Sequence, residues 1–256
     1  MNLLFALLPL SFAVVQGCGV PPAFWCDNAQ LAKACNAEAA CSAYKQESTG
    51  KKISLTLLYE GLCPGCRQFI TKVLYPMVSD GGFDSALNVE LVPFGNAQRL
   101  DNGSIVCQHG TDECQLNIIH SCGIYYLKQS AQSLAWVNCI ESAYPKPAPQ
   151  AVAACFQSLR VSPQINEKIK TCSSGKMGQA LFQAAMKRTQ SVGPDQHQFV
   201  PWLLVNNASL ASLQAYQDPE ALKVALCHWY QGSTPPPACP SLSQPTQLSL
   251  SQRPLH

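Results

Sequence analysis

The chain is poor in charge. Only 12% of its 256 residues are Asp, Glu, Lys or Arg, and the formal net charge is +2. No basic stripe and no acidic tail runs through it. That gives no reason to expect nucleic acid or an anionic membrane surface as a partner. After the N-terminus it has no run of about 18 uninterrupted apolar residues, so no stable membrane insertion is expected and the mature chain is expected to be soluble. It also lacks a second CxxC: Cys63-Pro64-Gly65-Cys66 stands alone. Zinc sites built on CxxC normally need a second Cys or His pair. His109 and His120 lie among cysteines better suited to disulfides, so zinc is disfavoured.

The first 17 residues have no Lys or Arg, yet Leu3 to Val15 is almost wholly apolar, and Val15 and Gly17 have the small side chains a signal peptidase requires. The run is too short for a membrane span, and residues 1–17 read as a secretory signal peptide. Cysteine, by contrast, is abundant: 14 residues, all after Gly17. So many thiols pair and persist in a secretory compartment, not in cytosol. Two sequons fit the same route, Asn102-Gly103-Ser104 and Asn207-Ala208-Ser209, both expected to carry glycans.

The cysteines fall into even groups: Cys18, Cys26, Cys35 and Cys41; Cys63 and Cys66; Cys107, Cys114, Cys122, Cys139, Cys155 and Cys172; Cys227 and Cys239. Each group is expected to pair internally, with connectivity left open. Cys239 has two options: Cys227, or a bridge to a second chain that would give a disulfide-linked homodimer.

KKISLTLLYEG reads as a buried strand, and CPGCRQFITKVLYPMV switches to helical period with Phe69, Ile70, Val73, Leu74 and Met77 on one face. Pro76 is expected to end or kink that helix. Residues 87–94 read as a second strand. A long helical block follows, with candidates DECQLNIIHSCGIYYLKQ, SLAWVNCIESAY, PQAVAACFQSLR, SPQINEKIKTC and GKMGQALFQAAMKRTQ. Strand character returns over residues 198–207, Asn206-Asn207 offers a tight turn, and DPEALKVALCHWYQ makes a last helix with Asp218 as N-cap. The order is that of an α/β, thioredoxin-like fold with a disulfide-rich helical insertion at about residues 105–190. The insertion point is similar to that of DsbA, a likeness of fold only. Residues 18–49 form a Cys-rich leader, 50–231 the thioredoxin-like domain, and 232–256 a Pro/Ser-rich tail expected to be disordered or removed.

A disulfide across CPGC closes too small a loop to be a useful staple. A cysteine at a helix N-terminus, however, meets unpaired N–H groups and the positive end of the helix dipole, and both favour thiolate. Cys63 is therefore the expected nucleophile and Cys66 the resolving thiol. Pro201, in FVPW, matches the cis proline that faces CxxC in thioredoxin-like folds. It leaves the preceding carbonyl free to pair with an extended substrate chain. An edge-strand proline is the plainer alternative.

Residues 107–122 narrow the family. CQHGTDECQLNIIHSC has the pattern C-Q-H-G-x-x-E-C-x-x-N-x-x-x-x-C at Cys107, Gln108, His109, Gly110, Glu113, Cys114, Asn117 and Cys122. It resembles the signature of the gamma-interferon-inducible lysosomal thiol reductases. The leader resembles a saposin A-type module, on Cys18, Phe24-Trp25-Cys26, Cys35 and Cys41, and in that family this region is a propeptide. The resemblance implies a lysosomal enzyme, partly secreted, that reduces disulfides of endocytosed proteins at acidic pH and supports antigen processing. It implies no bound cofactor, an external small thiol as electron donor, disulfide-containing proteins as substrates, and a mannose-phosphate sorting receptor as partner. Its signature cysteines Cys107, Cys114 and Cys122 are expected in structural disulfides, and His109 as a local polar anchor. Two other readings share the features: a secretory-pathway disulfide oxidase or isomerase, and a non-enzymatic disulfide-rich lipid- or protein-binding module.

Overall fold

The computed structural model describes residues 29–34, 38, 41–42, 49–80, 82–230, 232 and 234–239. The signal peptide, nearly all of the Cys-rich leader with Cys18, Cys26 and Cys35, and the tail beyond residue 239 lie outside the described residues. Within the leader a short helix, α1, covers Ala29–Ala34.

The centre of the fold is β1 (Ile53–Tyr59), buried at nearly every position, as its unbroken apolar run requires. It pairs in parallel with β2 (Leu87–Pro93) and antiparallel with β5 (Trp202–Val205), which pairs with β6 (Ala208–Ser209). The sheet order is β2-β1-β5-β6. Between β1 and β2 runs α2 (Pro64–Phe69), a π-helical turn (Ile70–Leu74) and α3 (Tyr75–Ser79). Pro76 was expected to stop or kink this helix. Instead the helical backbone continues to Ser79, with Pro76 in the first turn of α3, directly after the π turn. The π turn just before it shifts the hydrogen-bond register, with the Tyr75 N–H donating to the Ile70 carbonyl five residues back, and this makes room for a residue without an N–H.

The expected strand over 198–207 is shorter in the structure. Val200–Pro201 is cis, and the ladder starts only at Trp202. Asn206 and Asn207 both take positive φ, 48° and 65°, and turn the chain into β6. A small hairpin, β3 (Gln98–Arg99) with β4 (Ile105–Val106), precedes the helical block and has no counterpart in the sequence reading.

The helices match the apolar periodicity closely: α4 (Thr111–Leu127), α5 (Ser130–Ser142), α6 (Ala148–Ser158), α7 (Pro163–Ser173) and α8 (Lys176–Gln190). A 3-10 segment (Ala211–Gln217) leads to α9 (Pro219–Trp229), whose N-cap Asp218 accepts from the N–H groups of Glu220 and Ala221. α4 is the hub of the block. It packs on α5, α7, α8 and β2, so it is buried on most sides and brings its polar side chains inward. Cys107–Cys114 ties the loop after β4 to α4, Cys122–Cys172 joins α4 to α7, and Cys139–Cys155 joins α5 to α6. Cys239 bridges Cys227 in the same chain. The first residues of the supposedly disordered tail, 234–239, are thereby fastened to α9. Among the described residues no helix is long and apolar enough to cross a membrane.

Candidate active site

The active site is built on the turn from β1 into α2. Leu62 takes a left-handed φ of 67°, unusual for a branched residue, and this turn delivers Cys63 as the N-cap of α2 with Pro64 at the first helical position. Such a turn costs of order 1 kcal/mol and needs support. Asn117 on α4 supplies it: its Oδ1 accepts from the Gly61 N–H at 2.8 Å.

Among the described residues, Cys63 and Cys66 are the cysteines not in a disulfide. Cys63 Sγ accepts from the Cys66 N–H at 3.2 Å, and Cys66 is wholly buried behind it. The Val200 carbonyl lies 3.9 Å from Cys63 Sγ, and the Pro201 ring packs against Gly65. Cys63, Cys66 and the cis Pro201 thus lie together. Cys63 is itself only 8% exposed. Its thiol is held down to about 6 by the hydrogen bond from the Cys66 side chain, then by the N–H groups of Cys66 and Gly65 and the nearby His109, against the opposing effect of burial. Cys66 is pushed the other way, far above an ordinary thiol, by burial first and then by its bond to Cys63 and that residue's charge. The two thiols are thus shifted in opposite directions, which favours ionisation of Cys63 over Cys66.

The signature residues form the floor beneath the pair. Glu113 and Asn117 are one turn apart on the inner face of α4, both wholly buried, with Asn117 Nδ2 donating to Glu113 Oε1 at 3.4 Å. Glu113 Oε2 accepts from the His109 backbone N–H at 2.7 Å and meets His109 Nδ1 at 2.8 Å. His109 Nδ1 is also 3.5 Å from Oε1 of Glu60, the residue that follows β1. Glu60 Oε2 accepts from the Asn96 N–H at 2.7 Å, and Asn96 Nδ2 donates to Gln108 Oε1 at 2.7 Å. Gly95, at φ +60°, passes directly over the Glu60 carboxyl, where any Cβ would collide with it. Glu60 is raised to about 7 by burial, offset in part by the Asn96 N–H, with Glu113 and Cys63 adding to the rise. Ligand-type atoms of Glu60, His109 and Glu113 lie within 4.8 Å of one another, but backbone N–H donors already engage both carboxylates. The expected roles hold in kind: Cys107 and Cys114 are disulfide-bonded to each other, Cys122 to Cys172, and His109 is a polar anchor.

A second polar group escaped the sequence reading. Tyr59 OH meets His120 Nδ1 at 3.2 Å, and His120 Nε2 stands 3.9 Å from Glu141 Oε1, all three residues buried. Burial lowers His120 to about 3 and raises Glu141 to about 8, so the contact joins two neutral groups between those limits. Arg67, just after Cys66, lies over the Tyr144 ring at 3.9 Å and partly offsets the rise at Glu141. Glu113, Asn117 and His120 recur at helical spacing inside an apolar segment, a signal that could have revealed this inner face; nothing local marks Glu141.

The sequon asparagines are both exposed. Asn102 sits in the β3–β4 loop, accepting from the Ser104 N–H at 3.0 Å, and Asn207 in the β5–β6 turn, accepting from Arg188 at 2.8 Å.

The dithiol and its floor fall within a stretch that matches a family model. Residues 54–159 match the family model described as gamma interferon inducible lysosomal thiol reductase (GILT). A protein of Carassius auratus called gamma-interferon-inducible lysosomal thiol reductase is 32% identical over 91% of this chain and 90% of its own. The Mus musculus protein of the same name is 34% identical over 75% of this chain and 73% of its own. Among solved structures, a putative protein disulfide isomerase from Nitrosomonas europaea overlaps at a TM-score of 0.44 and 15% identity, covering 72% of this chain and all of that one. With its CxxC at the N-terminus of α2 and its inward-facing signature residues, this chain is a thiol–disulfide oxidoreductase, and it belongs to the gamma interferon inducible lysosomal thiol reductase family.

Proposed function

We propose that this enzyme works in lysosomes as a reductase of protein disulfides, at acidic pH, on endocytosed proteins being prepared for antigen presentation. The observation that carries the reading is the unequal pair: Cys63 Sγ accepting the Cys66 N–H at 3.2 Å at a helix N-terminus, with Cys66 buried behind it. A free thiol with pKa about 8.5 is thiolate at pH 5 in only a few parts per ten thousand. With Cys63 near 6, about a tenth is thiolate there, roughly 300-fold more. The acids around it suit the same range. Glu60 and Glu141 hold their protons to about 7 and 8, so at pH 5 they set no negative charge against the thiolate.

In this mechanism the Cys63 thiolate attacks one sulfur of the substrate disulfide. The substrate S–S bond breaks, a mixed disulfide forms, and the leaving thiolate takes a proton. With Cys63 now bonded, its charge no longer opposes ionisation of Cys66. Cys66 gives up its proton, attacks Cys63 Sγ and releases the second substrate thiol. The enzyme is left as the Cys63–Cys66 disulfide, and two equivalents of an external small thiol restore it; no bound cofactor takes part. The Val200 carbonyl beside Cys63 is the site where an extended substrate backbone pairs. Glycans on the exposed Asn102 and Asn207 would carry the mannose-phosphate address to a sorting receptor, and the secretory signal and saposin A-type leader complete the routing.

Insulin reduction at pH 5 with a small thiol as donor tests this. Cys63→Ser is expected to abolish turnover, and Cys66→Ser to accumulate enzyme–substrate mixed disulfides visible on non-reducing gels. Normal turnover by Cys66→Ser would refute the division of roles. Net oxidation of reduced substrates at pH 5 would favour an oxidase instead.

A further inference from the structure

A cleft of about 580 Å³ opens beside the CxxC turn, and the helical insertion forms most of it. Leu62, the residue before Cys63, forms one wall, and Ile119, Val152, Phe156 and Ile169 line the interior. Tyr144 stands at the rim, 56% exposed, with the guanidinium of Arg67 stacked on its ring. The cleft is thus continuous with the reacting pair through Leu62 on one side and Arg67–Tyr144 on the other. A volume of this size takes one or two large side chains rather than a folded partner.

The rim shows what kind of contact it makes. Three of the five residues from 145 to 149 are prolines, without an N–H, and the Lys146 N–H donates to the Ala143 carbonyl at 3.0 Å. The proline stretch itself offers a peptide backbone few N–H groups. Next to Cys63, and outside the cleft lining, the Val200 carbonyl is open to such a bond, with exposed Phe199 beside it, packed edge-on against Trp202. The two flanks of the nucleophile are therefore unlike. One offers a backbone carbonyl; the other is lined mainly by aliphatic and aromatic side chains, with Asp112, Gln115, Lys146, Lys170 and Ser173 also on it.

We infer that this cleft is a subsite for a large apolar side chain, aromatic or aliphatic, lying a few residues from the attacked cysteine of an extended polypeptide substrate. The inference deepens the reductase reading above and rests on it. It gives the enzyme a preference for disulfides in unfolded chains, where core residues are exposed next to their cysteines. A folded protein keeps such side chains inside and presents nothing to fill the cleft.

The test uses two short peptides, identical except for Phe or Ser three residues from a single cysteine, each carrying thionitrobenzoate as a mixed disulfide. Pre-reduced full-chain enzyme is mixed with each at pH 5, and release of the coloured thiol gives second-order rate constants. The Phe peptide is expected to react about tenfold faster, the scale of one side chain in an apolar pocket. Val152→Asp, which puts a charge in the cleft, and Tyr144→Ala, which removes the exposed rim, are each expected to bring that ratio toward one. Thermal melts of both variants show whether they are folded. Equal rates for the two peptides with the wild-type enzyme would overturn the inference, as would an unchanged ratio in both folded variants. Faster reaction of both peptides with Val152→Asp would mean that the cleft holds a segment of its own chain, which also overturns it. If the wild-type enzyme attacks neither peptide nor the thionitrobenzoate dimer, the reductase reading itself fails.

Discussion

The sheet region and the helical block use cysteine in opposite ways. Around the sheet, Cys63 and Cys66 are unpaired, and the structure is held by apolar burial of β1, β2 and β5. In the helical block, Cys107–Cys114, Cys122–Cys172 and Cys139–Cys155 clamp helix to helix or loop to helix. Exposure does not tell the two uses apart: Cys122 is 0% exposed and Cys172 3%, but Cys66 is 0% and Cys63 8%. Placement does. Cys63 sits where backbone N–H groups converge at a helix start, whereas Cys122, Cys139, Cys155 and Cys172 lie within helices whose N–H groups are largely engaged. A thiol–disulfide oxidoreductase needs this separation, with staples that resist exchange and one thiol that invites it.

The sharpest way to break the contrast is to remove a staple. Cys122 and Cys172 lie 50 residues apart in sequence. In the chain-entropy picture a loop of that length gives about 4 kcal/mol of stabilisation. Cys122→Ala with Cys172→Ala is expected to lower Tm by about 10 °C, and calorimetry checks it. Iodoacetamide labelling of Cys63 in the protein that remains folded should be unchanged, because the N-cap is formed by α2 itself. A shift in labelling would show that the block tunes the thiolate as well as bracing it.

A smaller effect is expected where the two regions touch. Asn117→Ala leaves the buried Gly61 N–H without a partner, a loss of about 1–3 kcal/mol. The turn that presents Cys63 should loosen, so insulin reduction is expected to fall about tenfold, with a lesser fall in Tm. Asn117→Asp, which keeps the acceptor, should recover part of the rate. Full activity in Asn117→Ala would mean that α2 positions Cys63 without help from α4.

The smallest effect concerns pH and is best read on the oxidised enzyme, where Cys63 does not titrate. Glu60 and Glu141 keep their protons to about 7 and 8 in the fold, but only to about 4.3 in an unfolded chain. The folded state binds more protons across that interval, so the stability present at acid pH is lost as pH rises through 7 to 8. His120 acts oppositely. It titrates near 6.5 when unfolded and near 3 in the fold, so its contribution is lost as pH falls below about 6.5. With two carboxyls against one imidazole, Tm is expected to be lower at pH 8 than at pH 5. Glu141→Gln should flatten the alkaline limb. A Tm that rises from pH 5 to pH 8 would contradict the burial that sets these groups.

Local chemistry made much of this legible in advance. The strand–CxxC–helix order, the N-cap position of Cys63, Pro201 before a strand and the helix boundaries of the block all follow from periodicity and from residues that act on their neighbours. The four-residue spacing of Glu113 and Asn117 also puts them on one helical face, a signal the sequence reading did not use. The same local reading misplaced Pro76 as a terminator, because a π turn just before it is not encoded by any single residue type. Sequence left Cys239 two partners, and the structure gives it Cys227.

By itself, then, the sequence determined where the reactive dithiol candidate lies: at a helix start, with a proline opposite and even sets of cysteines elsewhere. Only the tertiary structure decided what surrounds them. Asn117 reaches Gly61 across 56 residues, Asn96 meets Glu60, and the Tyr59–His120–Glu141 group forms from β1, α4 and α5. Those contacts are long-range, and their effects on ionisation come from burial, which arises only when helix and sheet close on each other and exclude water. A chain read in one dimension shows where a thiolate can form; packing sets the pH at which it does.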